Sequence, residues 1–223
     1  MTASGTYTFT LDASEIMAEA WERCGKDPAT LEGWQTRSAR KSLNLMFIDW
    51  SNSGASNLWA VERQTLALTA GTDSYTLPVG TVDVIEANLF DGSTETVLTM
   101  LTRDQYAAIP VKTTQARSSQ FWVERILPLP VIHLYATPDQ AYTLIYYRIR
   151  QLQDIGGMTE TLDAPALWLE AICAGLAARL AQKWVPEREV SLGQAAAMAY
   201  AKAAGETRER APFTAQPNMS FYQ

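Results

Sequence analysis

The residues of this chain best suited to acid–base chemistry are carboxylates, which fall into two groups. Glu15, Glu19 and Glu22 share one predicted helix, and Glu160 lies close to Asp163. Two suitably spaced carboxylates are sufficient for glycoside cleavage, in which one is the acid and the other the base or nucleophile. The same residue types are typical of helix caps and solvated helix faces. We interpret both groups as caps and solvated faces, and we retain a peptidoglycan hydrolase that uses paired carboxylates as an alternative.

Histidine and cysteine offer little further chemistry. The only histidine is His133, on a predicted strand face shared with Val131 and Tyr135. A zinc-binding histidine pair is therefore excluded, and the sequence lacks the CxxC zinc motif, the GxSxG elbow, the GxxxxGK[ST] phosphate loop and the GxGxxG fingerprint. Cys24 and Cys173 lie far apart in apolar helical contexts. We predict a structural or interface histidine, two inert core thiols, no catalytic residue, no metal and no cofactor.

Aromatic and arginine side chains alternate along one face of a predicted strand. They are Tyr142, Tyr146, Arg148 and Arg150. Such side chains can stack on bases or sugars, and they are also enriched at protein interfaces. Because the chain is acidic overall, we predict a subunit interface here rather than nucleic-acid readout. A carbohydrate-binding module that uses this face is a further alternative.

Composition excludes several classes of protein. A net charge of −6 and a pI of about 4.9 leave no global basic field that would attract nucleic acid or an anionic membrane. Residues 164–185 are the most apolar stretch, but Glu170, Arg179 and Lys183 interrupt it, so we expect no membrane span. No secretory signal is visible, and we expect a soluble protein made in the cytosol. Only 19% of the residues are charged, which favours a component of an assembly.

The elements that position these residues begin with a long helix over residues 34–50. One apolar stripe recurs at the helical period, and it consists of Ala39, Leu43, Met46, Phe47 and Trp50. Leu45 and Ile48 lie on the opposite face, among Arg37, Lys41 and Asn44. A helix that is apolar on two sides should contact two partners. Gly54 is the predicted C-cap.

Before and after this helix, the hydrophobic pattern changes twice. A helix over residues 13–24 opens with a capping box of Asp12 and Glu15. Residues 60–150 alternate with a period of two, which predicts about seven short antiparallel strands, the first two forming a hairpin over 64–68 and 74–77. Further helices follow over 167–185 and 187–210, and Asp163 is the predicted cap of the first.

These patterns predict an α+β protein in which N- and C-terminal helices form a bundle around an inserted antiparallel β domain. We predict that residues 1–59 and 156–210 form the bundle, that residues 60–155 form the β domain, and that residues 211–223 form an extended C-terminal tail. The tail bears prolines and aromatic residues but no charge, so we expect it to become ordered only in the groove of a partner.

Several segments, in this order, resemble the head-to-tail adaptor proteins of short-tailed bacteriophages, also called tail accessory or tail tubular A-type proteins. Each matching segment is structural rather than catalytic. The segments are Tyr7–Phe9, Glu19–Gly25, Ala39–Leu45, Trp50 with Asn52 and Gly54, Asn57–Trp59, Gly71–Pro78, Leu144–Arg148 and Leu162–Pro165.

The resemblance implies a non-enzymatic virion protein at the portal–tail junction, assembled in the host cytoplasm. Such adaptors form a homo-oligomeric, typically dodecameric ring that docks on the portal protein and carries the tail nozzle or tail tube. Genomic DNA passes through the lumen during ejection without being read. We expect Lys41, Leu45 and Ile48 to contact the adjacent subunit. The portal-binding tail residues would be Pro212, Phe213, Pro217, Met219, Phe221 and Tyr222.

Overall fold

A computed structural model describes residues 9–52 and 60–207 of the chain. The described part contains five α-helices, and those numbered α2, α4 and α5 each follow a short 3₁₀ turn. Their bounds are α1 Ala13–Arg23, α2 Gly33–Asn52, α3 Arg103–Ala107, α4 Leu169–Trp184 and α5 Glu189–Glu206. The helices and two β-sheets make an α+β fold, as predicted. The predicted tail and the Gly54 cap lie outside the described residues.

Helix α1 begins and ends as its sequence predicts. The backbone N–H of Glu15 donates to Asp12 Oδ1 at 2.8 Å, and the N–H of Asp12 donates to Glu15 Oε2 at 2.9 Å. This reciprocal pair satisfies two donors that the first turn leaves without helical partners. Gly25 ends the helix with φ of +77°, a left-handed conformation that favours glycine.

Helix α4 is the centre of the helical part, because α1, α2 and α5 all pack on it. Its buried side chains are small on several sides, including Ala171, Ala174 and Ala177. At Gly175 the approach of α2 is close: an added Cβ would lie 2.7 Å from Met46 Sδ and 3.2 Å from Trp50 Cζ2. A side chain at this position would therefore push α2 away.

The structure at the start of α4 shows that the predicted Asp163 cap is wrong. Pro165, not Asp163, occupies the cap of the 3₁₀ turn Ala166–Trp168, and no side chain caps that turn. The carboxylate of Asp163 instead accepts hydrogen bonds from Arg150. Both of its oxygens are engaged in this ion pair, which outweighs capping because it is charge-assisted and bidentate.

Eight strands form two four-stranded sheets in the described part of the chain. The first sheet has the order β1-β8-β3-β4, and the second has the order β2-β7-β6-β5. The strands are β1 Val61–Leu68, β2 Ser74–Thr76, β3 Thr81–Phe90, β4 Glu95–Val97, β5 Thr99–Met100, β6 Gln120–Glu124, β7 Val131–Tyr135 and β8 Tyr142–Arg150. The pairing is antiparallel except between β5 and β6, so the wholly antiparallel prediction is wrong at that edge.

The predicted hairpin between the first two strands is also wrong. Strand β1 pairs with β8 over eight residues, from Val61 opposite Ile149 to Leu68 opposite Tyr142. Strand β2 pairs with β7 in the other sheet. Between them, Gly71 turns with φ of +79° and its N–H donates to Pro138 O at 2.8 Å, which holds this turn to the loop before β8. The alternation predicts both strands correctly, but the strands that pair with them are distant in sequence.

The inner faces of the two sheets share one hydrophobic core. This core contains Leu68, Leu77, Val84, Ala87, Leu89, Leu98, Phe121, Val123, Ile132, Leu134, Tyr142, Leu144 and Tyr146. A separate core unites the helices with the segment that follows β8, through Leu152 and Ile155. The β-strands and helices are thus stabilised by distinct sets of buried side chains, joined by the chain just after β8.

Replacing Gly175 with leucine should destabilise the protein by about 1–3 kcal/mol, because overpacking forces Met46 and Trp50 to move. Gly193 in α5 is the matched control, since an added Cβ there meets nothing within 4 Å. Gly193→Leu should leave the free energy of unfolding unchanged or slightly raised. Urea unfolding measures both variants, and equal midpoints would contradict the close approach of α2 to α4.

Candidate subunit interface

The outward face of α2 exposes apolar and basic side chains in one row. Trp34, Arg37, Lys41, Leu45 and Ile48 follow each other at intervals of three or four residues. Leu45 is 58% exposed, Ile48 is 47% exposed and Trp34 is 50% exposed. Isolated exposed apolar residues are ordinary, but a row on a rigid element is a candidate contact surface.

The opposite face of α2 packs in the protomer, as predicted. Ala39, Leu43, Met46 and Phe47 are buried in the helical core. Trp50 is half-buried, and its ring centroid lies 5.5 Å from that of Trp168. The position and orientation of the outward row are therefore fixed by packing on the inward side.

Polar contacts add to this positioning. The Asn44 side chain donates to Ile155 O at 3.2 Å and accepts from the N–H of Ile155 at 3.0 Å. Arg40 donates to Gly156 O, so two side chains of α2 hold the segment that leads from the β-strands to α4. Near the end of α2, Asp49 forms an ion pair with Arg179 of α4 at 2.8 Å.

The basic residues of the outward row, Arg37 and Lys41, form no ion pair with the part of the chain that the structure describes. Lys183 of α4 adds positive charge nearby: burial lowers the pKa of its ammonium group, and Arg179 and Lys41 lower it further. Lys183 donates to Ser42 Oγ at 2.6 Å. An acidic partner surface would complement this end of the row.

The structure corrects the prediction of a second contact face, the one on β8, because that face points into the protomer. Tyr142 is 7% exposed, Tyr146 is 1% exposed and Arg148 is 8% exposed. The tyrosines lie in the core between the sheets, and Arg150 is half-buried in ion pairs. Alternation identified a single face correctly, but that face is the interior of the sheet. Its tyrosines therefore offer no open platform for a sugar or for a neighbouring subunit.

The two arginines instead join strands to loops. Arg148 Nη2 donates to Glu62 Oε2 at 2.9 Å, and its Nη1 donates to Thr81 Oγ1 at 2.8 Å. Arg150 Nε lies 2.6 Å from Glu62 Oε1, an ion pair without hydrogen-bond alignment. Arg150 Nη2 donates to Asp163 Oδ1 at 2.7 Å. The network thus links β1 and β8 to the segment that leads into α4.

The electrostatics of this network follow from its geometry. Hydrogen bonding from Arg148 lowers the pKa of the Glu62 carboxyl. Hydrogen bonding from Arg150 lowers the pKa of the Asp163 carboxyl and raises the pKa of Arg150 itself. Each charged form is therefore favoured in the folded protein.

Of the carboxylates considered for catalysis, Glu15, Glu19, Glu160 and Asp163 have structural contacts. Glu15 completes the α1 capping box, and Glu19 accepts from Arg23 Nε at 2.8 Å. Glu22 is exposed at the mouth of a groove between α1 and α4. Backbone hydrogen bonds from Gly157 and Gly156 lower the pKa of Glu160. Lowered pKa values at Glu160 and Asp163 oppose a general acid, which needs a raised one.

His133 lies in an aromatic stack on the outer side of the second sheet. Its ring centroid is 5.0 Å from that of Trp122, whose own centroid is 4.9 Å from that of Tyr106. His133 Nε2 is 3.0 Å from Glu124 Oε2. These contacts give the histidine a structural role. Within the described ranges, no group of three or more His, Cys, Asp or Glu side chains is placed to hold a metal ion.

The two cysteines are buried, as predicted for inert core thiols. Cys24 and Cys173 are free and buried. Burial raises the pKa of both thiols, that of Cys173 to about 11. A buried thiol with a raised pKa is a poor nucleophile, which agrees with the predicted inert core role.

One member of the outward row, Trp34, was missed at the level of sequence. Trp34 precedes Arg37 and Lys41 on the same face, and its helical spacing to Arg37 is the signal that identifies it. The predicted tail residues lie outside the described ranges.

Comparison with protein-family models matches residues 9–219 to the SU10 adaptor protein. The chain belongs to this family. It is a family of phage head-to-tail adaptors, so the resemblance found in the sequence is confirmed, and the chain is a structural protein of a bacteriophage virion. A search of curated proteins finds no match. Among the described helices of this adaptor, none has the length and hydropathy needed to cross a membrane.

Arg150→Ala should destabilise the adaptor by about 1–3 kcal/mol at neutral pH, because Glu62 and Asp163 lose a charged partner. Arg63→Ala is the matched control, since Arg63 is an exposed arginine on β1 with no ion pair among the described residues. It should change the free energy of unfolding by less than about 0.5 kcal/mol. Chemical denaturation of both variants measures the difference.

The same variants separate charge from packing. The ordinary pKa values of Glu62 and Asp163 are 4.5 and 3.8, and both are lowered in the fold. Their stabilising effect is present above these values and is lost as the pH falls through the lowered ones. The cost of Arg150→Ala should therefore shrink at acidic pH. A cost that is constant with pH would show that Arg150 acts through packing alone.

Proposed function

We propose that this adaptor forms a homo-oligomeric ring, of twelve copies by resemblance to related adaptors, at the portal–tail junction. The ring docks on the portal protein, carries the tail nozzle or tail tube, and lines part of the channel for genomic DNA. Membership of the adaptor family supports the connecting role. Assembly takes place in the host cytoplasm.

One observation carries the ring proposal: the outward face of α2 is apolar, basic and held rigidly by its inward face. A closed ring needs a patch on each copy that meets a different patch on the next. Complete burial of a leucine or isoleucine stabilises by about 1.5–3 kcal/mol, and about half of Leu45 and of Ile48 remains to be buried. Lys41 lies one turn before Leu45 and supplies charge at the edge of the contact. We assign these three residues to the subunit interface.

Charge supports the DNA channel. A lumen through which DNA slides should bind phosphates weakly, because basic contacts release counterions and retain the duplex. The net charge of −6 fits a surface of that kind. No base-reading function is needed for this role, and we propose no catalytic step.

We further propose the division of the adaptor into three parts. Residues 1–59 and 156–210 form a helical bundle, residues 60–155 form a β domain, and residues 211–223 form a tail. The separate cores of the helices and of the sheets support the first two parts. The uncharged composition of the tail, with its prolines and aromatic residues, supports its role as a peptide bound by the portal.

Leu45→Asp and Ile48→Asp should abolish ring assembly while leaving the monomer folded. A carboxylate at either position would be desolvated in the subunit contact without a partner. Assembly is measured by sedimentation velocity after mixing with portal, and folding by the unfolding midpoint.

Two control variants separate loss of assembly from general effects of an added charge. Val111→Asp introduces the same charge at an exposed apolar position of a β-region loop and should assemble normally. Leu43→Asp places the charge in the core and should unfold the monomer. Normal rings from both Leu45→Asp and Ile48→Asp would contradict the proposed interface, and unfolded monomers would show that both faces of α2 are core.

Deletion of residues 211–223 should weaken binding to portal without changing the unfolding midpoint of the adaptor. The tail contributes affinity only through a partner groove, so its loss leaves the protomer intact. Co-sedimentation with portal at micromolar concentration measures binding, and full-length adaptor with a scrambled tail of the same composition is the control. Equal binding by the wild-type, tail-deleted and scrambled-tail adaptors would show that the tail does not contribute to portal binding.

A further inference from the structure

The outward face of α5 is a second open surface in the described part of the chain; the residues of this face are uncharged, and Lys202 lies at its border. Its residues recur at helical spacing on the side away from α4, and they are Val190, Gln194, Ala197, Met198, Ala201 and Gly205. Val190 is 72% exposed and Met198 is 74% exposed. A helix face that remains in water normally carries charged side chains, so this face is suited to being covered.

The inward side of α5 already has its partner. Ala203 and Ala204 are buried, and Leu192 and Tyr200 pack against the helical core. The small outward residues allow another helix backbone to approach closely, while Val190 and Met198 provide apolar area for it. Packing among the described residues leaves this area open.

Charges at the start of α5 complement those on α2. Glu187 and Glu189 are exposed there and form no ion pair within the part of the chain that the structure describes. The outward row of α2 presents Arg37 and Lys41, which are likewise unpaired within that part. Opposite charges at the ends of two otherwise uncharged rows favour their association and set its direction.

The spacing of charge and apolar groups also agrees between the two helices. Arg37 precedes Ile48 by eleven residues, and Glu187 precedes Met198 by eleven residues, so each charge lies about three helical turns before an apolar residue on the same face. Parallel helices therefore bring Arg37 towards Glu187 while Leu45 and Ile48 meet the face around Met198. Antiparallel helices would place the basic end of α2 beside Lys202 instead.

We infer that the outward face of α5 on one copy binds the outward row of α2 on the neighbouring copy, with the two helices parallel. This inference rests on the proposed ring and identifies the second of the two patches that the ring requires. The contact is heterologous, because α2 and α5 present different surfaces.

The size of this contact predicts how it behaves. Helix α5 has 18 residues, so it is about 27 Å long and about 10 Å wide. A contact along that length covers roughly 300 Å² per copy, less than the about 800 Å² of a standard interface. Free adaptor should therefore associate weakly, and an oxidative cross-link is the suitable way to capture the pair.

The test uses cysteine variants of the full chain at high concentration without portal. Leu45→Cys protein is mixed with size-tagged Met198→Cys protein and mildly oxidised, and disulfide-linked species are separated by non-reducing electrophoresis. The native thiols of Cys24 and Cys173 are buried, and wild-type protein controls for them. Val111→Cys, at an exposed position on the β region, replaces Met198→Cys in the matched control mixture.

The expected result is a heterodimer from Leu45→Cys with Met198→Cys at several times the yield of the control mixture. A chain that carries both substitutions should give a ladder of multimers, because each copy then offers both halves of the contact. Yields equal to the control mixture, or homodimers of each variant in place of heterodimers, would overturn the inference.

Charge reversal tests the direction of the helices. Arg37→Glu in the Leu45→Cys protein should lower the heterodimer yield, and Glu187→Arg in the Met198→Cys protein should restore it. Loss without restoration would overturn the parallel pairing. Rings on portal without this cross-link would refute only the pairing of α2 with α5, whereas the cross-link without any binding to portal would refute only the proposed junction role.

Discussion

The close approach of three helices to α4 is the constraint on which the helical half of this adaptor depends. Helices α1, α2 and α5 reach α4 because half of its buried positions are alanine, and at Gly175 a single added carbon would collide with Met46. Close packing of this kind leaves no free volume between the helices, so each surrounding helix can adopt only one orientation. Fixing the inward faces of α2 and α5 also fixes which of their residues point outward.

This constraint connects stability to assembly. An interface that is built on packed helices is already ordered before the partner arrives, so association does not require the helices to become ordered. The β-strands are joined to this rigid part by the Arg150–Asp163 ion pair and by the contacts of Asn44 with Ile155. We therefore expect the helical part and the β part of each copy to move together when the ring binds other components of the virion.

The sequence predicted local features well and distant pairings poorly. The Asp12 capping box and the buried stripe of α2 depend on residues within a few turns, and both were predicted correctly. The hairpin prediction failed because β1 pairs with β8, which is remote in the chain. Likewise, alternation showed that Tyr146 and Arg148 share a face, but whether that face is inside or outside depends on the second sheet that covers it. The exposure of Leu45 was predictable, since the opposite stripe of α2 is more strongly apolar.

Electron microscopy of the adaptor mixed with the portal of its phage tests the central claim most directly. Class averages should show an added closed ring below the portal, with the outward face of α2 at the boundary between adjacent copies. Portal particles that carry no added ring at saturating adaptor concentration would contradict the account. A ring in which the outward face of α2 lies in solvent would contradict it equally.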